Sequence, residues 1–168
     1  MKVKALLLAL LVTLLIFSPG CLDGGEEEGT EGENVPVFSL TADDGEEYSS
    51  KNLFGEGYIL HFSASWCNSC RPTMHAVSNQ LNDSTYIIVS TDNSDSPKLS
   101  DWHLQVNDSK EDSLVSAPFS VGVELSQSFE ISNTPTLILI DQDGVVVSKH
   151  FGPLEDLQEI DSFWAQLD

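Results

Sequence analysis

The sequence predicts an α/β domain in which a mixed central sheet is covered by helices on both faces. Three observations carry this expectation. Apolar runs of strand length alternate with helix-length stretches; the last two strands are joined by a tight Asp/Gly turn; and the chain closes on an amphipathic helix.

Each element has its own signal. Val37-Phe38-Ser39-Leu40 alternates like a strand, Asp43-Asp44-Gly45 is a turn, and a short strand follows near Glu47-Tyr48. Ser49 to Leu53 fits one helical turn with Ser49 or Ser50 as N-cap. Gly57 to Phe62 is mostly apolar on both faces, as a central strand would be. A helix is expected from about Cys67 to Leu81, then a buried strand over Thr85–Ser90 and a rather polar helix from Pro97 to Val106. Residues 107–120 read as irregular. Val121, Leu125 and Phe129 share one face of a helix over 121–130. Thr136 to Ile140 is a strand, and Asp141-Gln142-Asp143-Gly144 turns the chain into Val145-Val146-Val147. Leu154, Leu157, Ile160, Phe163 and Trp164 form the core stripe of a final helix over 153–167.

Composition narrows the function. The chain of 168 residues is long enough for one domain with a full core. It carries 27 acidic and 7 basic residues, a net charge of −20, which excludes nucleic acid as a partner because a polyanion would be repelled. Three cysteines are too few for a disulfide scaffold. After a basic start, Ala5 to Phe17 is apolar except for Thr13. The run is short of the roughly 20 residues of a membrane span and has the length of a secretory signal core. The Gly20-Cys21 junction resembles a lipoprotein signal, although Ser18 stands where an aliphatic residue is usual. Residues 1–20 are therefore expected to be a signal peptide and Cys21 the lipidation site. Residues 21–34, acidic and glycine-rich, read as a disordered tether that cannot bury enough surface to fold. The folded domain is expected over 35–168, outside the cytoplasm and anchored to the outer face of the cytoplasmic membrane.

The chemistry centres on Cys67-Asn68-Ser69-Cys70. Two cysteines at this spacing after a buried strand serve either as half of a zinc site or as a redox pair. A structural zinc site needs four ligands, and neither a second such pair nor a His-x₃₋₅-His spacing is present, so no metal is expected and the redox reading is favoured. Unpaired N–H groups at the start of the following helix would stabilise a Cys67 thiolate. Sites of this kind lower a cysteine pKa from about 8.5 into roughly the 3.5–7.5 range. Cys67 would be the exposed nucleophile and Cys70 the shielded resolving thiol.

Here a family resemblance becomes specific. Ser65-Trp66-Cys67-Asn68-Ser69-Cys70-Arg71-Pro72 resembles the active-site segment of thioredoxin-like proteins. Pro36 to Leu40, Gly45, Leu53 and Gly55 resemble the TlpA/ResA-like subgroup, as does Ser132-Asn133-Thr134-Pro135-Thr136 followed by Asp141-Gln142-Asp143-Gly144. The similarity spans about residues 35–165. It implies a thioredoxin-like three-layer sandwich and protein thiol–disulfide exchange, with no cofactor beyond the Cys67–Cys70 pair. It also implies that Pro135 is cis and faces the pair. Thr134 would then offer backbone groups to an extended substrate segment, and Trp66 would pack beside the pair and shape the substrate surface. Pro72, inside the expected helix, should remove one hydrogen bond and kink it.

Two departures matter. His61 stands where thioredoxins carry a buried Asp, and Thr73 where ResA-like reductants often carry a Glu. His61 has three readings: a cation favouring the thiolates, a neutral base for the Cys70 proton, or a hydrogen-bonded core residue. His75 reads as a surface or packing residue. The expected function is exchange with the disulfides or thiols of exported proteins, with reduction slightly favoured over oxidation. The protein would act as a monomer with an unidentified membrane electron donor or acceptor. The alternatives are a copper-handling chaperone, with His150 as the only candidate third ligand, and a non-catalytic thioredoxin-like binding module. A peroxidase is disfavoured because Ala64-Ser65-Trp66-Cys67 lacks the Thr-x-x-Cys arrangement.

Overall fold

The computed structural model describes residues 31–93, 98–108 and 113–167. The expected signal peptide, the Cys21 lipidation site and the tether up to residue 30 lie outside the described residues, as does Pro97. Seven strands and four helices follow in the order β1 (Ser39–Thr41), β2 (Glu47–Ser49), β3 (Tyr58–Ser63), α1 (Cys70–Gln80), β4 (Thr85–Ser90), α2 (Leu99–Asn107), β5 (Phe119–Val121), α3 (Val123–Ser128), β6 (Thr136–Ile140), β7 (Val146–Phe151) and α4 (Leu157–Trp164), with a short 3₁₀ turn over Ala165–Leu167. β1 and β2 form a small antiparallel sheet. The main sheet has the order β5-β4-β3-β6-β7. β3, β4 and β5 run parallel, whereas β6 is antiparallel to both β3 and β7. This is the mixed sheet and three-layer thioredoxin-like architecture that the sequence predicts.

Strand alternation divides the core into two layers. On one face, Ile59 of β3, Tyr86 and Ile88 of β4 and Leu137 and Leu139 of β6 pack against Met74 and Val77 of α1, Trp102 of α2 and Ile160 of α4. On the other, Tyr58, Leu60 and Phe62 of β3 and Ile138 and Ile140 of β6 pack against Phe38, Leu40 and, from α3, Leu125. Every residue of β3 and β6 is buried, because each strand lies inside the sheet and under both layers. The Asp141–Gly144 turn is closed by the Asp141 carboxylate, which accepts from Asp143 N and Val145 N, while Gly144 takes a positive φ of 76°.

Several elements differ from expectation. β5 begins at the end of the segment read as irregular and takes Val121 from the expected helix, which starts at Val123 instead. It is only three residues long, and it exists because Phe119–Val121 pairs with Ile88–Ser90 and because Ala42 bridges to Ser120. β7 runs to Phe151, four residues beyond the expected Val147. α4 starts at Leu157 instead of Pro153, since Asp156 is the N-cap, its carboxylate accepting from Gln158 N and Glu159 N. Leu157 is consequently exposed, not part of the core stripe. Residues 31–34, assigned to the tether, pair along β7: Gly32 N donates to Val146 O, Val146 N to Glu33 O and Val35 N to Gly144 O.

Gly122 links β5 to α3 at a close approach. A Cβ there would fall 2.5 Å from Val89 Cγ1 and 3.3 Å from Leu40 Cδ2. Gly122→Ala should therefore destabilise the domain by about 1–3 kcal/mol, the usual range for overpacking a core. Urea unfolding should show a lower midpoint at an unchanged slope. An unchanged midpoint would show that the β5–α3 junction yields freely.

Candidate active site

β3 ends at Ser63, whose carbonyl accepts from Thr91 N at the end of β4. The chain then makes two tight turns in which Cys67 N donates to Ala64 O (2.9 Å) and Cys70 N to Cys67 O (3.2 Å). Helix α1 starts at Cys70, not at Cys67, with Ser69 at the N-cap and no side-chain cap. Cys67 thus lies just ahead of the helix, where the unpaired N–H groups of its first turn point. Cys67 and Cys70 are joined by a disulfide with an S–S length of 2.05 Å and a Cα–Cα distance of 5.4 Å. Cys70 is fully buried and Cys67 is 6% exposed. Cys67 is the more accessible of the two, yet it is mostly covered, not openly exposed as the sequence suggested. Pro72 falls in the first helical turn, where an N–H would have no helical partner anyway. It therefore removes no internal hydrogen bond, contrary to expectation.

The pairing of β3 with β6 brings the second half of the site into place. Phe62 is opposite Thr136, so Pro135 sits at the end of the sheet from which the disulfide turn leaves. The Thr134–Pro135 bond is cis. Pro135 is buried and Thr134 half-buried, and Gly152 N donates to Pro135 O (2.9 Å). Phe151, opposite Thr136 across β7, is 69% exposed at this same end. Trp66 is 66% exposed and directs its indole N–H to Asp92 Oδ2 at 3.3 Å. Trp66 is therefore a surface residue beside the cysteines. The sequence could not have revealed the roles of Asp92 and Phe151 here, because each depends on strands converging at one end of the sheet.

His61 lies on the same face of β3 as Ile59, over the core that contains Cys70. It is completely buried, and its Nδ1 is 2.5 Å from the Tyr86 hydroxyl, while Nε2 has no hydrogen-bond partner. Burial pushes its pKa down to about 3. Burial thus favours the neutral imidazole and disfavours the cationic role considered above. A group so reluctant to take a proton is also a poor base for a thiol. Thr73, at the position of the family's Glu, accepts from Leu154 N and ties α1 to the segment before α4. His75 is buried, with its ring nitrogens against Val106 O and Ser113 O. His150 Nε2 donates to Pro153 O at 3.2 Å. Among the described residues there is no group of three or more His, Cys, Asp or Glu side chains that could hold a metal ion, and no helix long and apolar enough to cross a membrane.

The burial of His61 has a consequence for acid stability. The unfolded chain takes up a proton near the ordinary pKa of about 6.5, whereas the folded chain resists until about pH 3. Folding stability that is intact above pH 6.5 is therefore lost progressively as pH falls toward 3. His61→Leu should flatten the stability–pH curve in that window relative to wild type, measured by urea unfolding at several pH values. Parallel curves for the two proteins would show that His61 titrates normally in the folded state.

Comparison with known proteins agrees with this geometry. The Redoxin family model matches residues 30–164. The thiol-disulfide oxidoreductase ResA of Bacillus cereus is 25% identical over 126 residues, covering 72% of this chain and 69% of that protein. Among solved structures, a protein from Bacteroides thetaiotaomicron described as a putative protein disulfide isomerase superposes with a TM-score of 0.66 at 23% identity, covering 82% of this chain and 87% of that one. The exposed lipoprotein thioredoxin Etrx1 of Streptococcus pneumoniae superposes with a TM-score of 0.61 at 22% identity, covering 78% and 99%. The chain belongs to the Redoxin family and is a TlpA/ResA-like protein of thioredoxin fold, a protein thiol–disulfide oxidoreductase.

Proposed function

We propose that this protein exchanges disulfides with exported proteins outside the cytoplasm, working as a monomer through Cys67 and Cys70 and favouring reduction of its substrates. The observation that carries this reading is the Cys67–Cys70 disulfide at the end of the sheet that also holds cis-Pro135. In the reducing direction, the Cys67 thiolate attacks a substrate disulfide. A Cys67–substrate S–S bond forms, and the substrate's other sulfur leaves as a thiol after taking a proton. Cys70 then attacks Cys67: the Cys67–Cys70 bond forms, the mixed disulfide breaks, and the Cys70 proton passes to the departing sulfur. Two electrons move from the dithiol to the substrate, and a dithiol donor at the membrane would restore them. All of this takes place between sulfur atoms, so no further cofactor is required.

Trp66, Thr134 and Pro135 form the surface for an extended substrate segment, with the backbone of half-buried Thr134 offered for strand-like pairing. The export reading is supported by the apolar run at residues 5–17 and by Cys21, which we place as the lipid-bearing residue of the anchored protein. The similar fold of the exposed lipoprotein thioredoxin of Streptococcus pneumoniae is consistent with the same placement.

The reduced protein should accelerate insulin reduction, and Cys67→Ser should abolish that activity. Cys70→Ser should accumulate mixed disulfides that are released by dithiothreitol, identifying the natural partners. A reduction potential near −270 mV or lower would support the reducing direction, and one near −120 mV the oxidising direction. Failure of wild type to reduce insulin, together with no trapped species, would remove the exchange reading altogether.

A further inference from the structure

His61 and Tyr86 form a buried pair with an uneven supply of hydrogens. The hydroxyl and Nδ1 are 2.5 Å apart, and neither the hydroxyl nor Nε2 has another partner among the described residues. Burial holds the phenol protonated, with its pKa raised well above 10. Two arrangements of the protons are possible. If Nδ1–H donates to the tyrosine oxygen, both the hydroxyl hydrogen and the Nε2 lone pair are buried without a partner. If the hydroxyl donates to Nδ1, only Nε2–H is left over. The second arrangement leaves one orphan instead of two, and each buried orphan is costly. Tyr86 therefore selects the imidazole tautomer that carries its hydrogen on Nε2.

That N–H is buried without a partner on the face of β3 that packs into the cluster containing Cys70. His61 lies on the Ile59 face of β3, and Ile59, Tyr86 and Cys70 are members of one buried cluster. The other polar groups nearby do not take the hydrogen. Ser63 Oγ, the next side chain along the same face, is itself unpartnered, and Thr73 Oγ1 already accepts from Leu154 N. With the disulfide closed, Nε2 has no partner. When the disulfide is reduced, the Cys70 sulfur in this same cluster becomes a thiol or thiolate and a better hydrogen-bond acceptor.

We propose that Tyr86 is a positioning residue that sets His61 as a neutral N–H donor to the Cys70 sulfur in the reduced protein. The hydrogen bond is made only after the disulfide opens, so it stabilises the reduced form selectively and makes the pair more oxidising. His61 takes no proton at any step. This deepens the Cys67–Cys70 exchange proposed above and rests on it.

The equilibrium of each protein with glutathione at pH 7 provides the test. His61→Phe should shift the pair about tenfold toward the disulfide, which for a two-electron couple is about 30 mV lower in potential. Tyr86→Phe should shift it in the same direction by a smaller factor. In the His61→Phe background, Tyr86→Phe should add nothing, because the tyrosine acts through the imidazole. Unchanged equilibria, a shift of opposite sign, or additive effects in the double variant would overturn the proposal. Should either variant fail to fold, ¹⁵N NMR of the wild-type protein decides: a protonated Nε2 and a bare Nδ1 are expected, and the reverse tautomer sinks the idea. A wild-type pair that never equilibrates with glutathione would instead refute the exchange reading itself.

Discussion

The antiparallel pairing of β3 with β6 is the constraint on which the site depends. The two halves of the site come from segments about 65 residues apart: the disulfide turn follows β3, and cis-Pro135 precedes β6. Only the register Phe62↔Thr136 brings them to the same end of the sheet. A slip of one residue would turn every β6 side chain to the wrong face, and a slip of two would move Pro135 by about 7 Å along the strand. Both slips are opposed by buried pairs on both faces. Leu60↔Ile138 and Tyr58↔Ile140 pack into one layer of the core, Ile59↔Leu139 and His61↔Leu137 into the other. The site is therefore positioned by apolar packing that takes no part in the chemistry.

Within that apolar frame, the buried polar groups of β3 are expensive. His61 Nε2 and Ser63 Oγ are both buried on one face of β3 without a partner. Each such group costs on the order of 1–3 kcal/mol, and a hydrocarbon side chain would avoid the cost. Where thioredoxins place a carboxylate, this chain places an imidazole that remains neutral because full burial disfavours its charged form. The substitution changes the kind of influence available to the site. A buried carboxylate can exchange protons with a thiol at working pH, whereas this imidazole can only donate or accept a hydrogen bond. The direction of the effect then depends on which ring nitrogen carries the hydrogen, and that is decided by a tyrosine on the neighbouring strand.

Much of this was legible in the sequence, for reasons that can be stated residue by residue. β3, β4 and β6 are apolar runs under both layers, and such runs declare themselves without knowledge of their neighbours. β5 does not: Phe119-Ser120-Val121 alternates over only three residues, too few to stand out, and its strand geometry comes from Ile88–Ser90 beside it. The start of α1 was misplaced by three residues because the turns over Ala64–Cys70 use backbone hydrogen bonds that leave no compositional trace. The cysteine pair was evident from spacing. The charge state of His61 was not, since it depends on burial, and neither was Tyr86, which is 25 residues away and meets His61 only through the parallel pairing of β3 and β4.

Residues 31–34 show how composition can mislead. Their glycine and acidic residues offer little apolar surface, and on that ground they belong with the tether. Main-chain pairing needs no apolar side chain, however, and β7 is an edge strand with unpaired groups to offer. Glu33 and Gly32 exchange backbone hydrogen bonds with Val146, and the Glu31 carboxylate accepts from Lys149 N further along the same edge. An open edge is a template for association with other chains, and the acidic segment covers this one with like-charged residues. Because the segment runs antiparallel to β7, Glu31 lies nearer than Asn34 to Phe151 and the disulfide end of the sheet. Nine residues lie between Cys21 and Glu31, so a lipid on Cys21 would hold Glu31 within about 35 Å of the membrane. Four residues with no hydrophobic content thus protect the edge and fix the direction from which the chain enters the domain.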